Sequence, residues 1–95
     1  MKESEKQILL ICQEECAEVT QAISKCFRFG FDSEYEAKTN HRRLTEEVGD
    51  LLCMINLMIE AGIIDEAAAN MASAQKKIKL KKWSNIFDKQ PELVN

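Results

Sequence analysis

Ninety-five residues with 13 basic and 16 acidic side chains, for a net charge of −3, make one domain near the low end for a self-sufficient core. The acidic balance argues against general affinity for nucleic acid or for an anionic membrane surface. The longest apolar segment, Leu51–Ile59, is interrupted by Asn56 and falls well short of membrane-spanning length. A chain of this size buries roughly 60–65% of its unfolded surface, so long amphipathic helices in it are expected to complete their burial in an oligomer.

The expected fold class is all-α, a single domain over residues 1–95. No secretory signal is expected, because Lys2 to Lys6 is charged and the apolar run Ile8–Cys12 is too short. The first helix is expected from about residue 4, with Ser4 as the capping residue type, to about residue 27. Gly30 is a natural stop, and Arg28 suits the negative end of the helix dipole. Phe27, Phe29 and Phe31 follow closely around that glycine, either as a hydrophobic plug at the end of a bundle or as a wall on which a nucleobase stacks.

Asp32 to Asn40 is polar and reads as a connector, with room for one helical turn at Glu34–Lys38. Asn40 is the expected cap of a second helix over about 41–61, ended by Gly62. Gly49 inside it costs about 1 kcal/mol relative to alanine. It either permits close approach of a backbone or ligand or is tolerated sequence noise. Asp65 caps a third helix over 66–83, with Ala67, Ala68, Met71, Ala74 and Ile78 as its inner face and Lys76, Lys77, Lys79, Lys81 and Lys82 in its last turns. Residues 84–95 form a tail, broken by Pro91, whose Ile86 and Phe87 are expected to dock with Trp83 on the bundle or on a partner subunit. No strand with two-residue alternation is visible. The four cysteines show no CxxC spacing and read as reduced, buried small hydrophobes, which points to the cytoplasm.

Two acidic clusters organise the chain. Glu14-Glu15-Cys16-Ala17-Glu18 and Glu46-Glu47-Val48-Gly49-Asp50 repeat one pattern, two adjacent glutamates and a third carboxylate three residues after the second. Residues three apart are neighbours on a helix, so Glu15/Glu18 and Glu47/Asp50 each form a two-carboxylate claw. At ~100° per residue, Glu15 falls in the middle of the stripe made by Ile8, Ile11, Cys12, Val19, Ala22 and Cys26. Glu47 falls among Leu44, Val48, Leu51, Ile55 and Met58, with Asp50 on the flank beside Met54 and Leu57. Carboxylates on a core-facing stripe are expensive to desolvate unless something positive meets them. Few Lys or Arg lie on those stripes, so a metal ion is the better partner.

An all-oxygen donor set suits Mg²⁺ or Mn²⁺ and not zinc. The only histidine, His41, sits at a helix start, where it caps more readily than it ligates. Four acids with Glu14 and Glu46 close behind exceed the need of one magnesium, so either two ions share the site or some acids stand behind the ligands. Lys25 and Arg28 continue the line of Glu18 and either meet phosphate oxygens or are ordinary surface charges. There is no Gly-rich phosphate loop and no Ser/His or Cys/His arrangement, which leaves metal-activated water as the attacking group.

The segments EECAEVTQAISKCFRFG and LTEEVGDLLCMINLM resemble the ExxE…ExxD signature of the MazG-like nucleoside triphosphate pyrophosphohydrolases, over about Ile8 to Ile59 and more loosely into the lysine-rich third helix. The resemblance implies hydrolysis of a nucleoside triphosphate between the α and β phosphates. It implies Glu15, Glu18, Glu47 and Asp50 as metal ligands, Glu14 and Glu46 as supporting acids, Glu14, Glu15 and Glu46 as catalytic residues, and one carboxylate as base without fixing which. For phosphate binding it offers Lys25, Arg28, Lys77 and Lys81. It also implies a four-helix bundle completed as a homodimer or homotetramer. Related dUTPases and phosphoribosyl-ATP pyrophosphohydrolases share the acidic pattern, so the base is left open. Two further readings compete: a non-enzymatic helical interaction module whose acids are surface charge, and a nucleic-acid binder using Lys76–Lys82, against which the acidic balance counts.

Overall fold

The computed structural model describes residues 1–88. The elements are α1 (Glu3–Phe29), β1 (Glu34–Tyr35), β2 (Lys38–Thr39), α2 (Asn40–Glu60) and α3 (Glu66–Trp83). The fold is all-α, with the two short strands as a hairpin between α1 and α2. Met1–Ile63 form one compact unit and the residues from Ile64 onward a second.

In the first unit, α1 and α2 pack side by side and antiparallel, Cys26 lying near Asn40 and Glu15 near Glu47 and Asp50. Their contact follows a heptad rhythm. On α1 the positions Ile8, Cys12, Glu15, Val19, Ala22 and Cys26 alternate steps of four and three, and all are buried or half-buried. On α2 the same holds for Leu44, Glu47, Leu51, Met54 and Met58. That is the seam of a two-stranded coiled coil, in which each seam residue faces the partner helix. Ile11 and Val48, expected within the stripes, are 43% and 38% exposed, because a 3.5-residue seam is narrower than a 3.6-residue stripe.

The buried apolar core among the described residues is small: Cys12, Ala22 and Met54. Leu10, Ile23, Leu52 and Leu57 point outward from the same two helices. Two corrections follow from this thinness. The cysteines are all free, but Cys16 and Cys53 are exposed, so only Cys12 and in part Cys26 behave as core residues. Phe27, Phe29 and Phe31 do not plug the end of the helix pair, being 87%, 57% and 58% exposed.

Helix α1 starts one residue before Ser4, with Lys2 at its N-cap, whose backbone N–H donates to Glu5 Oε1 at 2.8 Å. It stops at Gly30, whose φ of +88° and ψ of 159° lie in a region that glycine alone enters readily. The connector is not a helical turn. Tyr35 pairs with Lys38 and Glu34 with Thr39 in an antiparallel hairpin. Glu36 and Ala37 both have positive φ, 52° and 64°, which makes the type I′ turn that two-residue hairpins favour.

The residue that caps α2 is Thr39, whose Oγ1 accepts from the Arg42 N–H at 3.1 Å. Asn40, expected there, is instead buried inside the first turn and its Nδ2 donates to the Gly30 carbonyl at 2.9 Å. Its backbone N–H reaches Ser33 O at 3.1 Å, and the next residue's N–H reaches Phe31 O at 3.0 Å. The loop is thus stitched to the start of α2. At the other end α2 closes in a Schellman motif, Gly62 N–H to Ile59 O and Ile63 N–H to Met58 O, with Gly62 at φ +71°.

In the second unit Asp65 Oδ1 accepts from the Ala68 N–H at 2.8 Å and starts α3. Within the single chain no residue of α3 is buried, and Met71 and Ile78 of its expected inner face are 65% and 60% exposed. Alanine and lysine, strong helix formers, carry this segment without a packed stripe. Trp83 is 83% exposed in the single chain, whereas Phe87 lies under the ammonium groups of Lys77 and Lys81. The break expected at Pro91 falls outside the described residues. Among the described residues no helix is long and apolar enough to cross a membrane.

Candidate functional site

The heptad seam brings the acids together. Glu15 from α1 and Glu47 and Asp50 from α2 each present a carboxylate oxygen within 4.8 Å of the other two. Glu15 and Glu47 occupy seam positions and are half-buried, while Asp50, three residues after Glu47, leans in from the exposed flank. Burial first, and then the charges of Asp50, Glu47, Glu18 and Glu14, push the Glu15 carboxyl above the ordinary carboxylate range. Three hard oxygen donors that crowd and repel one another are what a divalent cation such as Mg²⁺ or Mn²⁺ relieves, so the residues present fit such an ion.

Glu18, one turn further along α1, stands outside that triad and lines a cavity of about 250 Å³ beside it. Glu47 and Glu46 line the same cavity, and facing them are Lys25 from α1, Lys38 from the hairpin and Arg43 from α2. Glu46 is not free. Lys38 Nζ meets its Oε1 at 2.9 Å and Arg42 Nε its Oε2 at 3.3 Å. The hydrogen bond from Lys38 leads the effects that hold the Glu46 carboxyl below its ordinary range. Glu14 is exposed and reaches the cluster only as one of the charges that raise Glu15.

A larger cavity of about 490 Å³ adjoins the first, with Lys25, Asn40 and Arg43 in the walls of both. Its remaining lining is Phe29, the hairpin residues Glu34 and Tyr35, and Ser33. The three clustered phenylalanines therefore part company. Phe29 faces this cavity, whereas Phe27 and Phe31 line a separate apolar hollow of about 220 Å³ with Ile23, Cys26 and Leu44. His41 sets its ring edge-on to Phe31, centroids 5.6 Å apart.

Arg43 ties the hairpin to this wall. Its Nη2 donates to the Tyr35 carbonyl, its guanidinium stands 5.5 Å from the Tyr35 ring centre, and its Nε is buried without a partner. Arg28 takes the same posture over Phe29 at 4.9 Å. Lys25 lies where its charge meets both cavities. Lys77 and Lys81 belong to the second unit, over the Phe87 ring at 5.7 and 6.0 Å.

Lys38, Asn40, Tyr35 and Arg43 were not singled out by sequence reasoning as site residues. For Arg43 a signal existed: it precedes Glu47 by four residues, one helical turn, and so shares the acid-bearing face. Lys38 and Tyr35 act through the hairpin, which carries no glycine or asparagine at its turn to announce it, and Asn40 through the first turn of α2.

The chain was compared with known proteins. No curated protein and no solved structure matches it. The family model of the MazG nucleotide pyrophosphohydrolase domain matches residues 3–90, a span that takes in both acid-bearing helices, the hairpin and α3. A match of that extent, centred on helices whose seam is interrupted by facing carboxylates, decides the family: the chain belongs to the MazG nucleotide pyrophosphohydrolase domains.

Proposed function

We propose that this protein hydrolyses nucleoside triphosphates to a nucleoside monophosphate and pyrophosphate, with a divalent cation, Mg²⁺ or Mn²⁺, held by Glu15, Glu47 and Asp50 and with Glu18 beside them. The observation that carries the reading is the placing of Glu15 and Glu47 at seam positions of the α1–α2 pair, where apolar residues stabilise and paired carboxylates repel. Acids kept there at such a cost are explained by a cation that meets them. When bound, that cation supplies Lewis-acid activation of the phosphate and of the attacking water.

The chain's own residues do the rest. Lys25, Lys38 and Arg43 line the cavity next to the acids and counter the charge of a triphosphate there. Water attacks the α-phosphorus, the bond from that phosphorus to the α,β-bridging oxygen breaks, and pyrophosphate leaves with the electron pair. A carboxylate of the cluster accepts the proton of the water. Glu46, held below its ordinary range by Lys38 and Arg42, is less suited to take that proton than Glu15, whose carboxyl is raised. The sequence has no Walker-type cradle for a γ-phosphate, which favours cleavage at α.

A homodimer or homotetramer is part of the same proposal. Leu10, Ile23, Leu52 and Leu57 leave an apolar surface on both acid-bearing helices that a second copy covers. The test of the function is product analysis with metal-loaded protein across the common ribo- and deoxyribonucleoside triphosphates. Monophosphate and pyrophosphate are the expected first products, and Glu47→Gln and Asp50→Asn each lower the rate by several orders of magnitude with helicity retained. Nucleoside diphosphate and orthophosphate would show the assigned chemistry to be wrong. No product from any triphosphate would favour an interaction module.

A further inference from the structure

We propose that the cavity of about 490 Å³ under the hairpin receives the nucleoside end of the substrate, stacked on Phe29 and Tyr35. This rests on the nucleotide reading of the acid cluster. The cavity's volume falls within the ~300–1,000 Å³ of small-molecule sites. It shares Lys25, Asn40 and Arg43 with the smaller cavity that holds Glu18 and Glu47, so one ligand can span the two, its charged end toward the acids and basic residues.

The chemistry of the lining selects a flat, polar-edged ring. Phe29 and Tyr35 both line the cavity and are 57% and 68% exposed, so their rings are open to a ligand. Each has a guanidinium over its ring, Arg28 over Phe29 and Arg43 over Tyr35. An aromatic ring backed by a cation on one side offers its other face to a π-system, and every nucleobase has one. Ser33 and Glu34 put a hydroxyl and a carboxylate beside the rings, able to meet the donor and acceptor edge of a base. Tyr35 is delivered by the I′ turn at Glu36-Ala37 and fixed by the Arg43 hydrogen bond to its carbonyl, so its placement is a product of the hairpin.

The experiment is equilibrium binding of nucleoside monophosphates and of inorganic pyrophosphate with Mg²⁺ to the full chain, alongside triphosphate hydrolysis. Tyr35→Ala and Phe29→Ala are each expected to weaken monophosphate binding and raise KM roughly five- to hundredfold, the loss of one base–aromatic stack. Pyrophosphate binding stays within about twofold, and Tyr35→Phe restores the nucleotide affinity. Helicity by circular dichroism is expected to match the parent, since the Arg43 bond is to the Tyr35 backbone. If the parent hydrolyses triphosphates and neither alanine variant changes monophosphate affinity or KM, the pocket assignment is overturned while the proposed activity stands. If the parent binds monophosphates, loses them in both variants, yet hydrolyses no triphosphate, the pocket stands and the activity falls. A parent that binds no nucleotide overturns both.

Discussion

Asn40 and Gly30 are joined by a hydrogen bond of 2.9 Å from the buried side-chain amide of one to the backbone carbonyl of the other, ten residues apart. This bond fastens the end of α1 to the first turn of α2. It also sets the shared wall of the two cavities, since Asn40 lines both. Replacing Asn40 with alanine leaves the Gly30 carbonyl without its donor and is expected to destabilise the protein by about 1–3 kcal/mol. Asn40→Asp is expected to lose at least as much, because a carboxylate oxygen then faces the carbonyl. Urea unfolding at one fixed chain concentration measures both. Unchanged midpoints would show that the bond does not hold the helices.

The turn of the hairpin is the opposite case, a place where the natural residue is not the best one. Ala37 sits at φ 64°, a left-handed conformation that is uphill for residues with a Cβ. Ala37→Gly removes that strain, partly offset by the extra freedom of glycine in the unfolded chain, and is expected to stabilise by about 1 kcal/mol. An increase in the unfolding midpoint with an unchanged slope checks it. A decrease would mean the left-handed turn is not populated in solution.

These two sites mark where the sequence was legible and where it was not. Glu15 and Glu47 could be read because each interrupts a long apolar rhythm, and a helix repeats its face often enough for one wrong residue to stand out. The ends at Gly30 and Gly62 could be read because glycine has a backbone reason to be there. The hairpin could not. Two-residue strands show no alternation, and Glu36-Ala37 lacks the Asn-Gly chemistry that signals a I′ turn. Asn40 and Thr39 are both capping types in adjacent positions, and only the burial of Asn40 decides that Thr39 caps. The exposed Met71 and Ile78 of α3 show the converse limit. Spacing predicts a stripe but not whether anything packs on it.

The thin seam leads to a prediction about assembly. With only Cys12, Ala22 and Met54 forming the buried apolar core of the described residues, the α1–α2 unit has little burial to hold it by itself. The protein is expected to be an obligate oligomer by sedimentation. Leu52→Glu, on an outward position that is 53% exposed in the single chain, is expected to dissociate and unfold it together. A dilute monomer with normal helicity would overturn this.

The acid cluster makes a prediction in pH and metal jointly. Burial and its acidic neighbours raise the Glu15 carboxyl above its ordinary value of about 4.5 in the folded protein. Between that value and the raised one, the folded state holds the proton more tightly than the unfolded state. Stability from this group is therefore present at low pH, falls as pH rises through the window, and is absent at neutral pH. Glu46 runs the other way: its carboxyl is lowered by Lys38, so its contribution is present at neutral pH and is lost as pH falls through the lowered value. Glu15→Gln isolates the first effect. Without metal at pH 7 the variant should melt higher than the parent, and the difference should shrink as pH drops below about 4.5. Mg²⁺ should reverse the order. It stabilises the parent by about 2.7 kcal/mol at 100 times its dissociation constant for one site, and the variant by much less. Melting curves of both proteins, with chelator and with Mg²⁺ from pH 4 to 8, provide the measurement. A parent indifferent to Mg²⁺, with a variant that melts no higher in chelator, would remove the basis for a cation at Glu15, Glu47 and Asp50.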